Sequence, residues 1–138
     1  MPISPNQCTV FVQIWVDVNA LQQNSTSGCY AVTNRSNNTQ GEGTANLKMN
    51  VITGSNVCWS VLPIDPQFTG DFSITGVGAQ TGWNVPPQPV TGSPNMFTGQ
   101  LTLSTVGGTV DSNVVFSYNN GGISNTITLP IVVTPIKA

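Results

Sequence analysis

Hydrophobic and polar residues alternate along most of this chain, with the period of two that is typical of strands buried on one face. The first alternating run predicts a long strand whose apolar face consists of Cys8, Val10, Val12, Ile14, Val16 and Val18. Its other face carries two aromatic residues, Phe11 and Trp15, among polar neighbours. We therefore expect this second face to be partly covered as well.

Comparable runs follow further along the chain. Residues 44–52 predict a strand, and residues 57–62 predict its hairpin partner across a turn at 54–56. Asn119-Asn120-Gly121-Gly122 predicts a second hairpin turn, because Asn and Gly tolerate positive φ. The remaining runs predict strands at 29–32, 72–75, 97–106, 110–118 and 123–133.

Two stretches interrupt this pattern. Polar residues dominate 19–43 outside the short strand at 29–32. Residues 82–89 hold three prolines beside Trp83, and these prolines predict an extended loop. No segment shows the apolar stripe of an amphipathic helix. Strands at such regular spacing predict an all-β fold. We expect a single domain over residues 1–138, an antiparallel β-sandwich of Ig-like or jelly-roll type with seven to nine strands.

Charged residues are scarce, with three basic and five acidic residues among 138, and histidine is absent. Arg35, Lys48 and Lys137 are too few to neutralise the phosphates of a nucleic acid. Without histidine, a serine or cysteine nucleophile lacks its usual base, and the cysteine spacing is not that of a zinc site. We expect no enzymatic activity, no metal and no cofactor.

The positions of the acidic residues also favour the absence of a catalytic carboxylate pair and of a calcium site. Asp65 and Asp71 could in principle face each other as the two carboxylates of a glycosidase. Asp before Pro and after Gly is instead typical of turns. Asp111 and the pair Asn119-Asn120 lie at opposite ends of one predicted strand, too far apart to share a calcium ion.

The cysteine count bears on the cellular compartment. Three cysteines cannot all pair within one chain, which favours free thiols in a reducing cytoplasm. Glycosylation sequons at Asn24, Asn34 and Asn37 would instead indicate a secreted protein. We interpret these residues as part of a polar loop. The first residues do not resemble a signal peptide, and no apolar run is long enough for a membrane span. The expected location is cytoplasmic, or secreted if a signal peptide has been removed.

Two groups of residues are candidates for binding. Trp83 and Asn84 in the predicted loop, with Asn119 and Asn120, could bind a glycan by aromatic stacking and amide hydrogen bonds. Phe11, Trp15 and Ile52 occupy outward positions of their predicted strands, where a monomer would favour polar groups. Because a net charge of −2 gives little repulsion between copies, these three predict an interface in a homo-oligomer.

Four segments are distinctive when taken together: VFVQIWVD at 10–17, GEGTANL at 41–47, NVCWS at 56–60, and the end from Gly121-Gly122 through PIVV at 130–133. In these segments the chain resembles the AidA/PixA inclusion-body family of small bacterial proteins. The chain departs from that family in having only three methionines, and in Leu129-Pro130 where an aromatic-Asp-Pro ending is expected. The resemblance implies a cytoplasmic bacterial protein linked to inclusions, and it brings no catalytic residues.

Two hypotheses of function result. The first is a self-assembling structural module of the inclusion-body type, which the low charge and the resemblance support. The alternative is a lectin-like, carbohydrate-binding module that uses Asn/Thr/Ser-rich loops and Trp83. A sizing measurement tests the first hypothesis, and a sugar titration tests the second.

Overall fold

The structure, a computed structural model, describes residues 3–18, 28–34, 39–41, 43–65, 67, 70–78, 81–103, 106–120 and 123–137. This part of the chain contains a 3-10 helix of one turn, Pro5–Gln7, and no α-helix. It forms eleven strands: β1 (Val10–Val16), β2 (Cys29–Thr33), β3 (Lys48–Ile52), β4 (Asn56–Pro63), β5 (Asp71–Val77), β6 (Trp83–Val90), β7 (Ser93–Leu101), β8 (Val110–Asp111), β9 (Val114–Asn120), β10 (Ile123–Leu129) and β11 (Val132–Ile136). The predicted all-β fold is confirmed, and seven to nine strands is too low a number.

The strands form three sheets. The large sheet has the order β2-β1-β4-β7-β6, and two small sheets have the orders β10-β9-β5 and β3-β11-β8. Two neighbouring pairs are parallel, β1 with β4 and β3 with β11, whereas the other pairs are antiparallel. The prediction of a purely antiparallel fold is therefore wrong, because alternation shows which residues are buried but not which strand lies alongside.

Two predicted strands are each divided in the structure, which accounts for part of the higher strand number. The run 110–118 breaks at Ser112 and Asn113, and the run 123–133 breaks at Pro130, which has no N–H to donate. The breaks lie side by side. The backbone N–H and Oγ of Ser112 both donate to the carbonyl oxygen of Ile131, and the N–H of Ile131 donates to Asn113 Oδ1. The two small sheets are thus joined end to end by hydrogen bonds.

The predicted hairpin of residues 44–52 with 57–62 does not form. β3 pairs with β11 in a small sheet, and β4 pairs with β1 and β7 in the large sheet. The turn between them carries Gly54 at φ 83°, and the N–H of Gly54 donates to the carbonyl oxygen of Thr102. This turn carries the chain from one sheet to another, so the expected partner is wrong although both strands exist.

The predicted loop at 82–89 is also wrong, because these residues form the edge strand β6. An edge strand tolerates proline, since one side of its backbone has no strand to donate to. The register against β7 shifts between Val85 and Gln88, where the two consecutive prolines lie. Gly99 of β7 makes this close approach possible, because a Cβ there would lie 3.0 Å from the carbonyl oxygen of Val85.

One hydrophobic core is shared by all three sheets. The alternation predicted its members well along β1, β3, β9 and β10. Leu103 is a clear exception, because the strand predicted over 97–106 ends at Leu101 in the structure and Leu103 is 60% exposed.

Candidate functional site: the outer face of the large sheet

Alternation along β1 turns Phe11 and Trp15 to the face of the large sheet that lies away from the core, because the residues between them fill the core. Phe11 is 39% exposed and Trp15 is half-buried. Both residues were predicted to lie on this face, and the structure places them there. A phenyl ring carries no conventional hydrogen-bonding group, so contact with a second apolar surface would stabilise the exposed ring of Phe11.

The strand register adds further apolar side chains on both sides of β1. Trp15 lies opposite Tyr30 of β2 and Leu62 of β4, and residues paired in this way share one face. Tyr30 is 42% exposed. We call the resulting set the outer patch, and it consists of Phe11, Trp15, Tyr30, Val32 and Leu62. The sequence alone did not identify Tyr30, Val32 and Leu62, because only the pairing of strands brings them beside Trp15.

The large sheet is uncharged. Its five strands, as the structure bounds them, contain no Asp, Glu, Lys or Arg. Natural sheets commonly use charged side chains to prevent association with other sheets. The outer patch lacks that protection within its own strands, so contact with a second apolar surface would desolvate no strand charge.

Part of the same face is covered by the segment that precedes β1. Thr98 of β7 and Cys58 of β4 are paired in register, and both are buried although they face away from the core. The Oγ1 of Thr98 donates to the carbonyl oxygen of Ile3, and Asn56 Nδ2 donates to that of Gln7 at 3.1 Å. Residues 3–8 therefore lie across one end of the outer face, which leaves the outer patch as its open part.

A groove of about 480 Å³ runs along the outer patch between β1 and β2. Its lining includes Phe11, Val32 and Asn34. Asn34 closes one end of the groove, since its Oδ1 accepts from the N–H of Phe11 at 2.9 Å and its Nδ2 donates to the carbonyl oxygen of Thr9 at 3.0 Å. The amide of this sequon asparagine thus extends the pairing of β1 and β2. The sequon residues Asn24 and Asn37 lie outside the described residues.

The third predicted interface residue lies elsewhere. Ile52 ends β3 in a small sheet and is 36% exposed. It shares the outward orientation expected for it, but not the sheet of Phe11 and Trp15. The outer patch therefore contains two of the three residues that were proposed as an interface.

The predicted glycan-binding residues are not brought together. Trp83 begins β6, is 8% exposed and packs edge-on against Trp59 with ring centroids 5.3 Å apart, so it is not an exposed loop tryptophan that could stack freely on a sugar. Asn84 is exposed, and its Nδ2 donates to Gln100 Oε1. Asn119 and Asn120 end β9 in a small sheet, and their side chains lie outside the described part of the structure.

Trp83 nevertheless lines a second cavity of about 500 Å³. Its lining residues include four with polar side chains, Thr81, Thr102, Thr109 and Asp111. Gly82, at φ 95°, allows Val110 to approach closely, because a Cβ at Gly82 would lie 2.9 Å from a methyl group of that valine. The lining of this cavity thus combines polar residues with one aromatic residue, alongside glycines, Val110 and Pro135.

The titratable groups of the described residues do not form a metal-binding cluster. No cluster of three or more His, Cys, Asp or Glu side chains occurs within that part of the chain. Burial raises the pKa of the Cys29 thiol to about 11 and that of Cys58 to about 12, so both are protonated at neutral pH. A transmembrane helix is likewise not found in the described ranges, where no helix reaches the length and hydrophobicity needed.

A solved structure shares the fold of this chain. The fold is similar to that of the crystal structure of the inclusion body protein PixA from Burkholderia cenocepacia J2315, with a TM-score of 0.55, 16% sequence identity and 99% of each chain covered. At this identity the similarity shows the fold, and it confirms the resemblance inferred from the sequence. None of the curated proteins matches the sequence. A family model matches residues 8–124, and the chain therefore belongs to that family, described as a domain of unknown function (DUF8788).

Proposed function

We propose that this protein is a non-catalytic structural module that associates with copies of itself through the outer patch. The observation that carries the proposal is an aromatic, partly exposed sheet face on five strands that hold no charged residue. A surface of that kind is typical of an interaction site. The fold it shares with an inclusion body protein supports the same function.

Association through one patch on each copy would be symmetric, because each partner supplies the same residues. A stable interface buries about 800 Å² on each partner. The contact would therefore extend from the outer patch along the open part of the outer face. Aromatic side chains at the centre of such an interface contribute most of its binding free energy, which gives Phe11, Trp15 and Tyr30 the central role.

The test is light scattering coupled to size exclusion over a range of protein concentrations. The chain has a mass of 14.5 kDa, and we expect a multiple of that mass at micromolar concentration. The double variant Phe11→Thr/Trp15→Thr keeps residues suited to strands but removes both rings. We expect its dissociation constant to rise at least tenfold, because a central aromatic residue contributes about 2 kcal/mol or more.

A matched control uses Leu103, an exposed apolar residue outside the large sheet. Leu103→Thr removes apolar surface in the same way and should leave the mass unchanged. A wild-type protein of 14.5 kDa at every concentration would refute the proposal. So would a double variant that is folded by circular dichroism and associates as tightly as the wild type.

We further infer that the three sheets form two layers, as in a β-sandwich. The two small sheets are joined end to end at Ser112 and Ile131, and their buried residues belong to the same core as those of the large sheet. This arrangement supports one layer made of the large sheet and a second made of both small sheets. Assembly in the cytoplasm of a bacterium is the setting we propose, in keeping with three unpaired, buried cysteines.

The alternative function is carbohydrate binding, and the cavity beside Trp83 favours it. Thr109 and Asp111 offer hydrogen bonds to sugar hydroxyls, and Trp83 offers an apolar surface. A glycan array on the wild-type protein tests this alternative. Binding that Asp111→Asn weakens, and that Phe11→Thr/Trp15→Thr leaves unchanged, would place sugar recognition in this cavity rather than at the outer patch.

A further inference from the structure

Cys8 and Cys58 meet on the outer face of the large sheet, although 50 positions separate them in the sequence. Cys8 follows the 3-10 helix, and Cys58 lies within β4. The Cys58 thiol donates a hydrogen bond to the sulfur of Cys8, and the Cys8 thiol donates to the carbonyl oxygen of Ser4 at 3.9 Å. The two sulfur atoms are thus neighbours in the folded protein.

Contacts that do not involve sulfur hold this pair together. The N–H of Thr9 donates to the carbonyl oxygen of Asn56 at 3.2 Å, and Asn56 Nδ2 donates to that of Gln7. The Oγ1 of Thr98, which is paired with Cys58, donates to the carbonyl oxygen of Ile3. Residues before and after Cys8 are therefore held against β4, which contains Cys58, and against the neighbouring strand β7.

Cys29 is not part of this pair. It begins β2 on the opposite face of the large sheet, where it belongs to the hydrophobic core. Cys8 and Cys58 are both outside that core cluster. The fold therefore separates the three cysteines into one adjacent pair and one isolated thiol.

We propose that Cys8 and Cys58 form a reversible disulfide when the protein meets a low-molecular-weight disulfide such as glutathione disulfide. In the first step the Cys8 thiolate attacks one sulfur of the oxidant, which forms a mixed disulfide and releases one glutathione thiol. In the second step the Cys58 sulfur attacks Cys8 and displaces the second glutathione. The protein loses two protons and two electrons, and the oxidant is reduced to two thiols.

The environment of the pair assigns these roles. Cys8 is the more exposed of the two, at 9% against 2% for Cys58. Burial raises the pKa of the Cys8 thiol, but the hydrogen bond from Cys58 acts in the opposite direction by stabilising the thiolate. Burial together with the neighbouring Cys8 raises the pKa of Cys58 to about 12. Cys8 is therefore the attacking thiol, and Cys58 completes the disulfide.

The consequence of the disulfide is a covalent attachment of residues 3–8 to the large sheet. In the reduced protein this segment is held by the hydrogen bonds of Thr98 and Asn56. Those bonds can open individually, whereas a disulfide cannot. Oxidation would thus fix the covered end of the outer face, next to Phe11, which is the register partner of Cys58.

The experiment uses the position of the basic residues. Trypsin can cleave only after Arg35, Lys48 and Lys137, so Cys8 and Cys29 fall in the fragment 1–35 and Cys58 in the fragment 49–137. The folded Cys29→Ser variant is incubated with glutathione disulfide, its free thiols are alkylated, and it is then denatured and digested. We expect a loss of two hydrogens from the intact mass and a joined pair of fragments that a reductant separates.

Thermal melting gives an independent measurement. A disulfide that closes a loop of this length should raise the Tm of the Cys29→Ser variant by on the order of 10 °C relative to its reduced form. The Cys8→Ser variant, which keeps Cys29 and Cys58, is the matched control and should give separate fragments. The proposal is overturned by separate fragments from Cys29→Ser, by a glutathione adduct that persists on Cys8, or by a disulfide between two chains.

Discussion

Replacement of Trp59 by phenylalanine should cost much less stability than its size suggests. Trp59 lies in the central strand of the large sheet, is fully buried and packs edge-on against Trp83. Its indole nitrogen has no hydrogen-bond partner among the described residues. Trp59→Phe therefore removes apolar ring atoms and, with them, a buried donor whose desolvation is not compensated.

These two effects oppose each other and are of similar size. Loss of two ring carbons weakens hydrophobic stabilisation by roughly 1.6 kcal/mol, at about 0.8 kcal/mol for each methylene equivalent. Removal of an unsatisfied buried donor restores about 1–3 kcal/mol. We expect the free energy of unfolding of Trp59→Phe to lie within about 1 kcal/mol of the wild type. Trp59→Ala removes the whole ring and should cost about 3–5 kcal/mol.

Urea denaturation followed by far-UV circular dichroism measures both variants without relying on the fluorescence of the residue that is replaced. Trp15→Phe is the control, because Trp15 is half-buried on the outer face and outside the core. A loss of more than about 3 kcal/mol in Trp59→Phe, equal to that in Trp59→Ala, would refute the reasoning. It would show that the indole N–H makes a bond that stabilises the fold.

Two further predictions concern the backbone and the junction of the small sheets. Gly78→Ala should lower the Tm far more than Gly92→Ala: both glycines have positive φ, but only at Gly78 would a Cβ collide with the carbonyl oxygen of Asp111. Equal losses in thermal melting would contradict that steric explanation. Ser112→Ala should cost about 1 kcal/mol in urea denaturation, because it removes a fully buried hydrogen bond to the carbonyl oxygen of Ile131, which still accepts from a backbone N–H. A cost near zero would show that this hydroxyl does not stabilise the junction.

The sequence predicted the strands and their buried faces more accurately than their partners. Alternation is a local property of a half-buried strand, and it identified the buried residues of β1 and β9 correctly. Pairing depends on the path of the chain, which turns at Gly54 from one sheet to another. Nothing in residues 44–62 distinguishes such a crossing from a hairpin, so the parallel pairs were missed.

The prediction of a loop at 82–89 was wrong for a different physical reason. Pro86, Pro87 and Pro89 are unfavourable within a central strand, and the sequence does not reveal that β6 lies at an edge. Trp83 begins that same strand, so its predicted place in a loop was wrong together with the loop. Gly99 was a sign of close packing against this segment, because a Cβ at that position would lie 3.2 Å from the backbone of Pro87.

The candidate site was predictable in part. Phe11 and Trp15 were identified because an aromatic residue at an outward position is unusual in one strand taken alone. Tyr30 lies beside them because of the register of β1 with β2. Cys8 approaches Cys58 because of the path that residues 3–9 take across the sheet. Neither proximity leaves a local pattern, since each joins residues that are distant in sequence.

The position of β11 determines when the protein can complete its fold during synthesis. β11 is the central strand of the sheet β3-β11-β8, so β3 and β8 have no neighbour in that sheet until Ile136 has left the ribosome. Val132 pairs with Lys48, whose strand is translated far earlier. During that interval the nascent chain presents Met49 and Val51 on an unpaired strand, and unpaired apolar strands are in general prone to aggregation. The order of translation thus leaves β3 and β8 without their sheet partner until β11 has been made, although all strands of the other two sheets precede it in the chain.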